Sequence, residues 1–435
     1  MTIRKQPSDF RVEELLAPET LASIGERPGG NHVHAMYALN KTSLTTPAAV
    51  NEFCRSVKAR PDHASYAGLK DKHAQTVQHI TVKLRNPSEA PRQTEGKQWS
   101  AQLIGFIDHP IAAADITGNR FAITVRDLKR AESEEMDRRA ALLSLSSLGA
   151  PAPRQLPHTL LFTNYFGAQR FGSARHGAGW IAKSLITGDF ETALKLAIGT
   201  PARKDTGKTR DFTRILASRW GDWKGIIKDL PRLPEARAIE VLARGNGGGG
   251  GGGDFKDAFA ALPYFLQSLF IEAYQSHLWN RCAHALTRAA SQARAHGRGR
   301  EGAGGGSHPS PPLLFPTPDE FGEMLFAPAG IISGPLRTLE LPLLARNSEL
   351  LEPWKQTYEQ VLAAEGITLA DLRVKGLKRP FFGEALRPLF VEARAFSLSA
   401  PEPDELSKSG MRKRTATFDL PRGSYATVVM RALGQ

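Results

Sequence analysis

The segment best suited to chemistry is a short run of charged residues that leads into a strand. It reads Ser65-Tyr-Ala-Gly-Leu-Lys-Asp71-Lys-His-Ala-Gln-Thr-Val-Gln78, and an alternating apolar pattern follows from His79. Lys70 and Lys72 flank Asp71, and nearby cations keep a carboxylate ionised and available as a nucleophile or base. An aspartate in this setting can equally be a turn residue or a helix N-cap. The spacing alone leaves both interpretations open.

A second motif resembles a phosphate-binding loop but lacks its context. Ala202 to Thr209 matches the P-loop pattern, except that alanine replaces the first glycine. A working P-loop needs a buried strand before it and a helix after it, so that backbone N–H groups face the phosphates. Here the preceding ETALKLAIG predicts a helix. An NTPase that binds nucleotide through Lys208 is therefore a disfavoured hypothesis.

The histidines and cysteines do not have metal-ligand spacing. The five histidines near the N-terminus are His32, His34, His63, His73 and His79. Catalytic zinc sites use three protein ligands, usually in patterns such as HExxH or CxxC, and neither pattern is present. The two cysteines, Cys54 and Cys282, are far apart. We therefore expect no metal, no nucleotide cofactor and a reduced, cytoplasmic protein.

The overall charge favours a polyanionic partner. The chain has 435 residues, with 57 Lys plus Arg against 44 Asp plus Glu, which gives a net charge of +13. Lys and Arg release condensed counterions when they bind a phosphate backbone, so the excess favours a nucleic acid over a membrane, for which no apolar segment is long enough. Residues 161–230 hold 12 Lys or Arg and 6 Asp or Glu. Six basic residues of this region fall close together: Arg203, Lys204, Lys208, Arg210, Arg214 and Arg219.

The order of predicted elements suggests one α+β domain interrupted by a helical insertion. Alternating patterns predict strands at His79–Leu84 and Asn119–Leu128, and a helix from Ala131 to about Leu148. Residues 164–395 are predicted to be mainly helical, and strand is expected again from Thr415 to Leu433. Two Gly-rich stretches, 245–253 and 296–312, cannot bury enough surface to order themselves and are predicted to be flexible loops.

Several separated blocks of the chain resemble the TruD family of tRNA pseudouridine synthases. The most specific are AGLKDKHAQTVQ (Ala67 to Gln78) and NYFGAQRFG (Asn164 to Gly172). The others follow the family's order almost from end to end: PSDFRVEE (Pro7 to Glu14), GNRFAITVR (Gly118 to Arg126), AYQSHLWN (Ala273 to Asn280) and FDLPRGSYATVVMRAL (Phe418 to Leu433).

The resemblance implies an α+β fold made of two domains. One is a catalytic domain with a mixed, mainly antiparallel sheet, formed by residues 1–160 and 396–435. The other is a largely helical TRUD insertion domain formed by residues 165–395, which carries the two Gly-rich loops.

The resemblance also implies a reaction and a set of site residues. Members of the family isomerise uridine to pseudouridine within tRNA, without a cofactor or a metal. The family's catalytic aspartate falls on Asp71. The implied substrate-binding residues are Phe10, Asn119, Tyr425, Phe121 as the ring that stacks on the target uracil, Arg4 as a basic residue near the aspartate, and Gln78, which closes the aspartate motif.

The blocks that resemble the family point to two of its branches, which differ in their target nucleotide. Bacterial members of the family act on uridine 13 of tRNA, and we expect that position here. AYQSHLWN and KGLKRP (Lys375 to Pro380) are closer to archaeal and eukaryotic relatives, which accept further positions and RNAs. Two alternatives remain: the same chemistry at another position or RNA, and a non-catalytic RNA-binding protein.

Overall fold

The chain forms two compact units that interrupt each other along the sequence. A computed structural model describes residues 1–145, 158–172, 177–202, 205, 207–245, 254–298, 314–332, 334–408 and 410–435. Unit 1 consists of 1–162, 328–330 and 391–435, and unit 2 consists of 163–327 and 331–390. Most of both Gly-rich stretches lies outside the described residues.

Unit 1 is built around one sheet of twelve strands. Its strands are β1 (Thr2–Ile3), β2 (Phe10–Leu16), β3 (His34–Thr42), β4 (Ala64–Tyr66), β5 (Gln75–Lys83), β6 (Gln93–Glu95), β7 (Trp99–Ile107), β8 (Ile116–Leu128), β9 (His158–Thr163), β14 (Phe390–Leu398), β15 (Glu402–Pro403) and β16 (Arg412–Pro421). Its helices are α1 (Pro18–Ala22), α2 (Thr46–Ser56), α3 (Arg130–Leu143) and α13 (Ala426–Ala432).

The sheet is mixed and mainly antiparallel, as expected. The main path runs β6-β7-β3-β5-β2-β8-β16-β14-β9. Strands β2 and β5 are parallel, whereas the β3–β5, β2–β8 and β8–β16 pairs are antiparallel. The predicted strand at Asn119–Leu128 lies within β8, and the one at His79–Leu84 coincides with the second half of β5 except for Leu84; both strands are in the interior of the sheet. Their regular alternation between buried and less buried positions explains why the sequence revealed them.

Helix α2 covers one face of the sheet beside β3 and β5. Its apolar residues Val50 and Phe53 are buried in the same cluster as Tyr37 and Ile80. The Phe53 and Tyr37 rings meet edge to face, with centroids 4.9 Å apart. This packing fixes the N-terminal end of α2 near the start of β5.

The C-terminal segment differs from the prediction of continuous strand. Strand β16 ends at Pro421, and α13 begins at Ala426 after a turn in which Gly423 adopts a φ of 81°. The β-branched residues of this segment favour a strand locally. However, Val428 and Val429 are buried on a helix that packs into unit 1, so tertiary packing decides the conformation.

Unit 2 is mainly helical and carries two small two-stranded sheets. Its helices are α4 (Ile181–Thr187), α5 (Phe190–Leu194), α6 (Gly207–Ser218), α7 (Trp223–Ile226), α8 (Ala236–Arg244), α9 (Phe255–Ala260), α10 (Tyr264–Arg298), α11 (Gly334–Arg337) and α12 (Lys355–Glu365). Its strand pairs are β10 (Phe315–Thr317) with β11 (Met324–Phe326), and β12 (Glu340–Leu343) with β13 (Ala385–Pro388).

The longest described helix of unit 2 lies in the region that the sequence predicted to be mainly helical. Helix α10 has 35 residues and continues to Arg298, slightly into the stretch predicted to be a loop. Its core side chains, which include Tyr274 and Trp279, are fully buried. No helix among the described residues combines the length and the apolarity needed to cross a membrane.

Candidate active site

Asp71 lies in the loop that joins β4 to β5, directly before the strand that the sequence predicted to follow it. Strand β5 is central, because β3 pairs with it on one side and β2 on the other. The side chain of Asp71 is 38% exposed, so a ligand can reach its carboxylate. A carboxylate fixed at the end of a central strand has a rigid base and an open face.

Arg4 forms an ion pair with Asp71. Its Nη2 lies 2.8 Å from Asp71 Oδ2, and its guanidinium stacks over the Phe10 ring at 4.0 Å from the centroid. The backbone of Arg4 has a φ of 77°, a left-handed conformation that costs energy for a non-glycine residue. Such strain concentrates at functional sites. Arg4 therefore orients the carboxylate, in agreement with the position that the family resemblance gave it.

The Lys70 side chain contacts residues of two neighbouring strands. Its Nζ lies 2.7 Å from Glu14 Oε1 and donates to Asn119 Oδ1 at 2.8 Å. The lysine thus ties the Asp71 loop to β2 and β8, which carry Glu14 and Asn119 as direct cross-strand neighbours. Lys72, the other flanking lysine, is exposed.

Glu14 is the buried anchor of this connection. Its second oxygen, Oε2, accepts a hydrogen bond from the backbone N–H of His79 at 2.7 Å. Burial tends to raise the pKa of the Glu14 carboxyl, but hydrogen bonding to His79 and the charge of Lys70 outweigh burial and lower that pKa. The carboxylate is therefore charged, and it joins β2 both to the Asp71 loop and to β5.

Gln78 also supports the Asp71 loop, through the hydrogen bonds of its side chain. Its side chain is fully buried, and its Oε1 accepts a hydrogen bond from Thr46 Oγ1 at 2.8 Å. Thr46 Oγ1 in turn accepts from the backbone N–H of Lys70 at 3.1 Å. Gln78 also donates to the carbonyl of Gly68 at 3.4 Å. It thus holds the loop in place from a position that solvent does not reach.

Lys41 fixes the backbone of Asp71 itself. It is only 1% exposed, and its Nζ donates to the carbonyl oxygen of Asp71 at 2.9 Å. Burial lowers the pKa of Lys41 to about 8, although the charge of Asp71 acts in the opposite direction. A buried ammonium group therefore lies directly behind the candidate catalytic residue.

The two phenylalanines assigned to substrate binding form part of an aromatic row. Phe10 and Phe121 are 3% and 9% exposed, and their rings meet edge to face at 6.2 Å. Phe121 also stacks on Phe418 at 5.7 Å. The packing accounts for both rings as core residues, so their contact with substrate stays a prediction.

Asn119 lies on β8, where β16 pairs with it, and Tyr425 lies at the start of α13. Asn119 lies opposite Leu420 in the β8–β16 pair, and the half-buried Tyr425 is the N-cap residue of α13. The preceding residue in β8 is Gly118, where any Cβ would collide with the carbonyl oxygen of Leu420. This close approach explains why glycine precedes Asn119.

Sequence reasoning missed three residues of this site: Glu14, Lys41 and Thr46. Each acts on the Asp71 loop from a different element, namely β2, β3 and α2. Glu14 did fall within a family block, but nothing local marks it as a partner of Lys70. Strand pairing across the sheet brings these side chains together.

The described members of the basic cluster predicted in residues 203–219 differ in their partners, and Arg214 lies 4.0 Å from Asp211. Arg219 pairs with Asp222 and Asp229 at 2.7 and 2.6 Å, and Arg210 donates to the carbonyl of Asp205 at 2.9 Å. Arg203 and Lys204 lie outside the described residues. In the described part of the chain, no three His, Cys, Asp or Glu side chains are grouped so that they could hold a metal ion.

The comparisons with known proteins agree on one family. The family model described as tRNA pseudouridine synthase D (TruD) matches residues 1–297. A tRNA pseudouridine synthase D of Aquifex aeolicus is 27% identical over 442 residues, which cover 99% of this chain and 97% of that protein. The "Probable tRNA pseudouridine synthase D 2" of Methanocaldococcus jannaschii is 28% identical and covers 99% of this chain and 91% of its own length.

A solved structure shares the fold. A Methanosarcina mazei chain described as a tRNA pseudouridine synthase D (TruD) superposes with a TM-score of 0.66. The match covers 99% of this chain and 92% of that one at 22% identity. The predicted α+β fold is confirmed.

Proposed function

The chain belongs to the TruD family, and from that membership we propose that it converts uridine 13 of tRNA to pseudouridine through the carboxylate of Asp71. The family assignment supports isomerisation of uridine in tRNA. The position and the catalytic residue are the parts that we add. The observation that carries the proposal is an accessible carboxylate whose backbone, side chain and loop are each held by a separate partner.

The chemistry requires a carboxylate and a substrate base taken out of its stack. The bond between N1 of uracil and C1′ of the ribose breaks, the base turns, and a bond forms between C5 and C1′. The hydrogen leaves C5 and a proton is added at N1, so the product is an isomer of the same mass. Asp71 acts as a nucleophile or as a general base, at the ribose or at the uracil. A stacked uridine must be flipped out to reach it.

The remaining predicted residues have supporting roles in this proposal. Arg4 orients Asp71, and Phe121 and Tyr425 contact the flipped uracil. Stacking of a base on an aromatic ring contributes roughly 1–3 kcal/mol, which offsets much of the cost of unstacking. Asn119, held by Lys70, contacts the substrate, and Gln78 positions the loop.

Replacement of Asp71 tests the proposal directly. Asp71→Asn preserves the shape of the side chain and removes its charge, so pseudouridine formation should fall by at least about a thousandfold. The measurement is carbodiimide mapping on a tRNA transcript, with binding to the same transcript measured in parallel. Asp62→Asn is the matched control, because Asp62 is an exposed aspartate that precedes β4 and pairs with Arg60. Activity retained by Asp71→Asn would contradict the catalytic role.

The target position has its own test. A transcript in which cytidine replaces uridine 13 should receive no pseudouridine, while its affinity for the protein should be unchanged. Modification of that transcript at another position would contradict the choice of uridine 13 and leave the role of Asp71 intact.

A further inference from the structure

A second concentration of unusual side chains lies in unit 2. The segment 372–382 reads LRVKGLKRPFF and carries four cationic residues and no acidic one. It follows the Leu369–Asp371 turn and precedes β13, and it contains neither helix nor strand. All of its residues except Arg379, together with the exposed Arg346, line a depression of about 610 Å³. We call residues 372–382 with Arg346 the basic segment.

The alternation of residue types in the basic segment displays its cations to solvent. Leu372, Val374 and Phe382 are 2%, 5% and 6% exposed and anchor the chain in the core of unit 2. Arg373 and Lys375, which alternate with these anchors, are exposed. The anchors thus fix the backbone while the charged side chains remain available to a ligand.

These cations form no ion pair with a carboxylate of the described residues. Among the described residues, no carboxylate lies within ion-pair distance of Arg346, Arg373, Lys375, Lys378 or Arg379. The neighbouring Asp371 is held by Thr368 instead, whose N–H and O–H donate to Oδ2 at 2.9 and 2.7 Å. These hydrogen bonds from Thr368 lower the pKa of Asp371, and the charges of Lys375 and Arg373 add to the effect. Grouped cations without counter-charges repel one another, which is the usual cost of a polyanion site.

Aromatic rings accompany these cations. Phe381 is 61% exposed, and Tyr264 and Phe265 at the start of α10 are 49% and 70% exposed. The Arg379 guanidinium lies 5.9 Å from the centre of the Tyr264 ring. An exposed ring beside unpaired cations is the combination that binds single-stranded nucleic acid, where cations contact phosphates and rings stack on bases.

We propose that the basic segment binds the RNA substrate at unpaired nucleotides, with Arg373, Lys375 and Lys378 on the phosphates and Phe381 stacked on a base. The inference rests on the proposed function for the identity of the RNA as tRNA. A lipid surface fits less well, because the segment lacks the amphipathic helix by which proteins enter the lipid interface.

The first experiment measures tRNA binding by the full chain as a function of salt. In the triple variant R373A/K375A/K378A, affinity at moderate salt should fall by about tenfold or more. The slope of log K against log[salt] should shrink by about 2, since each lost contact with a single strand removes about 0.7. The control R60A/R130A/R394A removes three exposed arginines of unit 1 that are paired with carboxylates. It has the same change in charge and should keep the wild-type slope.

A second variant separates stacking from charge. Phe381→Ala should weaken binding by about tenfold without changing the salt slope, because stacking releases no counterions. A tRNA with photoreactive 4-thiouridine should also crosslink the wild-type chain at peptides that contain Phe381 or Lys375. This readout does not depend on the folding of any variant. If the triple variant matches its control and the crosslinks map elsewhere, the proposal is overturned.

The outcomes also separate this proposal from the proposed function. Suppose that the wild-type protein forms pseudouridine but the triple variant binds tRNA like its control. That result would refute RNA binding by the basic segment and leave the proposed enzymatic activity intact. A chain that binds tRNA through the basic segment but forms no pseudouridine would refute the proposed function and leave the proposed RNA binding by the basic segment intact. If both proposals hold, the triple variant should isomerise saturating tRNA within about twofold of the wild-type rate, with a raised KM.

Discussion

The Asp71 loop and the basic segment treat charge in opposite ways. Around Asp71, Arg4, Lys41 and Lys70 each contact a named oxygen of the protein. In the basic segment the cations face solvent without a described carboxylate partner. The first arrangement fixes one carboxylate in advance of the reaction, because prearranged polar groups need not reorganise when charge moves. The second leaves the cations without ion-pair partners until the phosphates of a polyanion bind to them.

The largest effect that would test this comparison is expected at Glu14. Glu14→Gln removes the carboxylate that pairs with the largely buried Lys70, and an uncompensated buried charge costs about 3–5 kcal/mol. We expect a lower midpoint of urea unfolding and a large loss of isomerase activity. Glu13→Gln is the control, since Glu13 is the exposed neighbour on the same strand and should change stability by less than about 0.5 kcal/mol. Equal stabilities of the two variants would show that the pair contributes little.

Lys41 provides a pH-dependent test. Its pKa is about 8 in the folded protein against an ordinary value of 10.5, so the unfolded chain binds more protons between these values. The cost of burying the charged amine is fully present below pH 8 and is relieved as the pH rises toward 10.5. Wild type should therefore gain up to about 3 kcal/mol relative to Lys41→Met across this range.

The measurement is denaturant unfolding of wild type and Lys41→Met at several pH values between 7 and 10.5. Comparing the two proteins cancels the titration of other groups, including Cys54, whose pKa burial raises to about 11. A difference in unfolding free energy that does not change with pH would contradict the assigned burial of a charged Lys41.

The smallest expected effect separates paired from unpaired cations within unit 2. Arg219→Ala should change tRNA affinity by less than about twofold, because two carboxylates already neutralise Arg219. Lys375→Ala should weaken binding by about threefold or more, because Lys375 belongs to the proposed binding segment. The same salt titration measures both. A larger loss for Arg219→Ala would return the RNA contact to the region that composition first suggested.

The sequence predicted the parts of the molecule that have a local signature. Strands β5 and β8 alternate regularly, and α10 has a long helical pattern, so each could be recognised in isolation. Helix α13 could not, because its valines favour strand and only packing in unit 1 makes it helical.

The candidate site divides in a similar way. Asp71 and Arg4 came from residue type and family resemblance, and their contact agrees with both. The sequence placed Lys70 beside Asp71 but gave no sign of its hydrogen-bond and ion-pair partners, Asn119 and Glu14. Its ion-pair partner, Glu14, is brought close to it by the parallel pairing of β2 with β5. Pairing between segments that are far apart in the chain has no signature in the sequence of either segment.

The pairing of β8 with β16 has a consequence for how the protein is made. Strand β8 is complete at Leu128, but its neighbour β16 begins only at Arg412, after the whole of unit 2. At roughly 5–20 residues per second, the ribosome needs roughly 15–60 s to supply that neighbour. During this interval the nascent sheet carries an open strand edge, the kind of surface that pairs with other chains. The sheet that supports Asp71 is therefore completed only after unit 2 has been synthesised, and a fragment that stops before Arg412 keeps that edge of β8 uncovered.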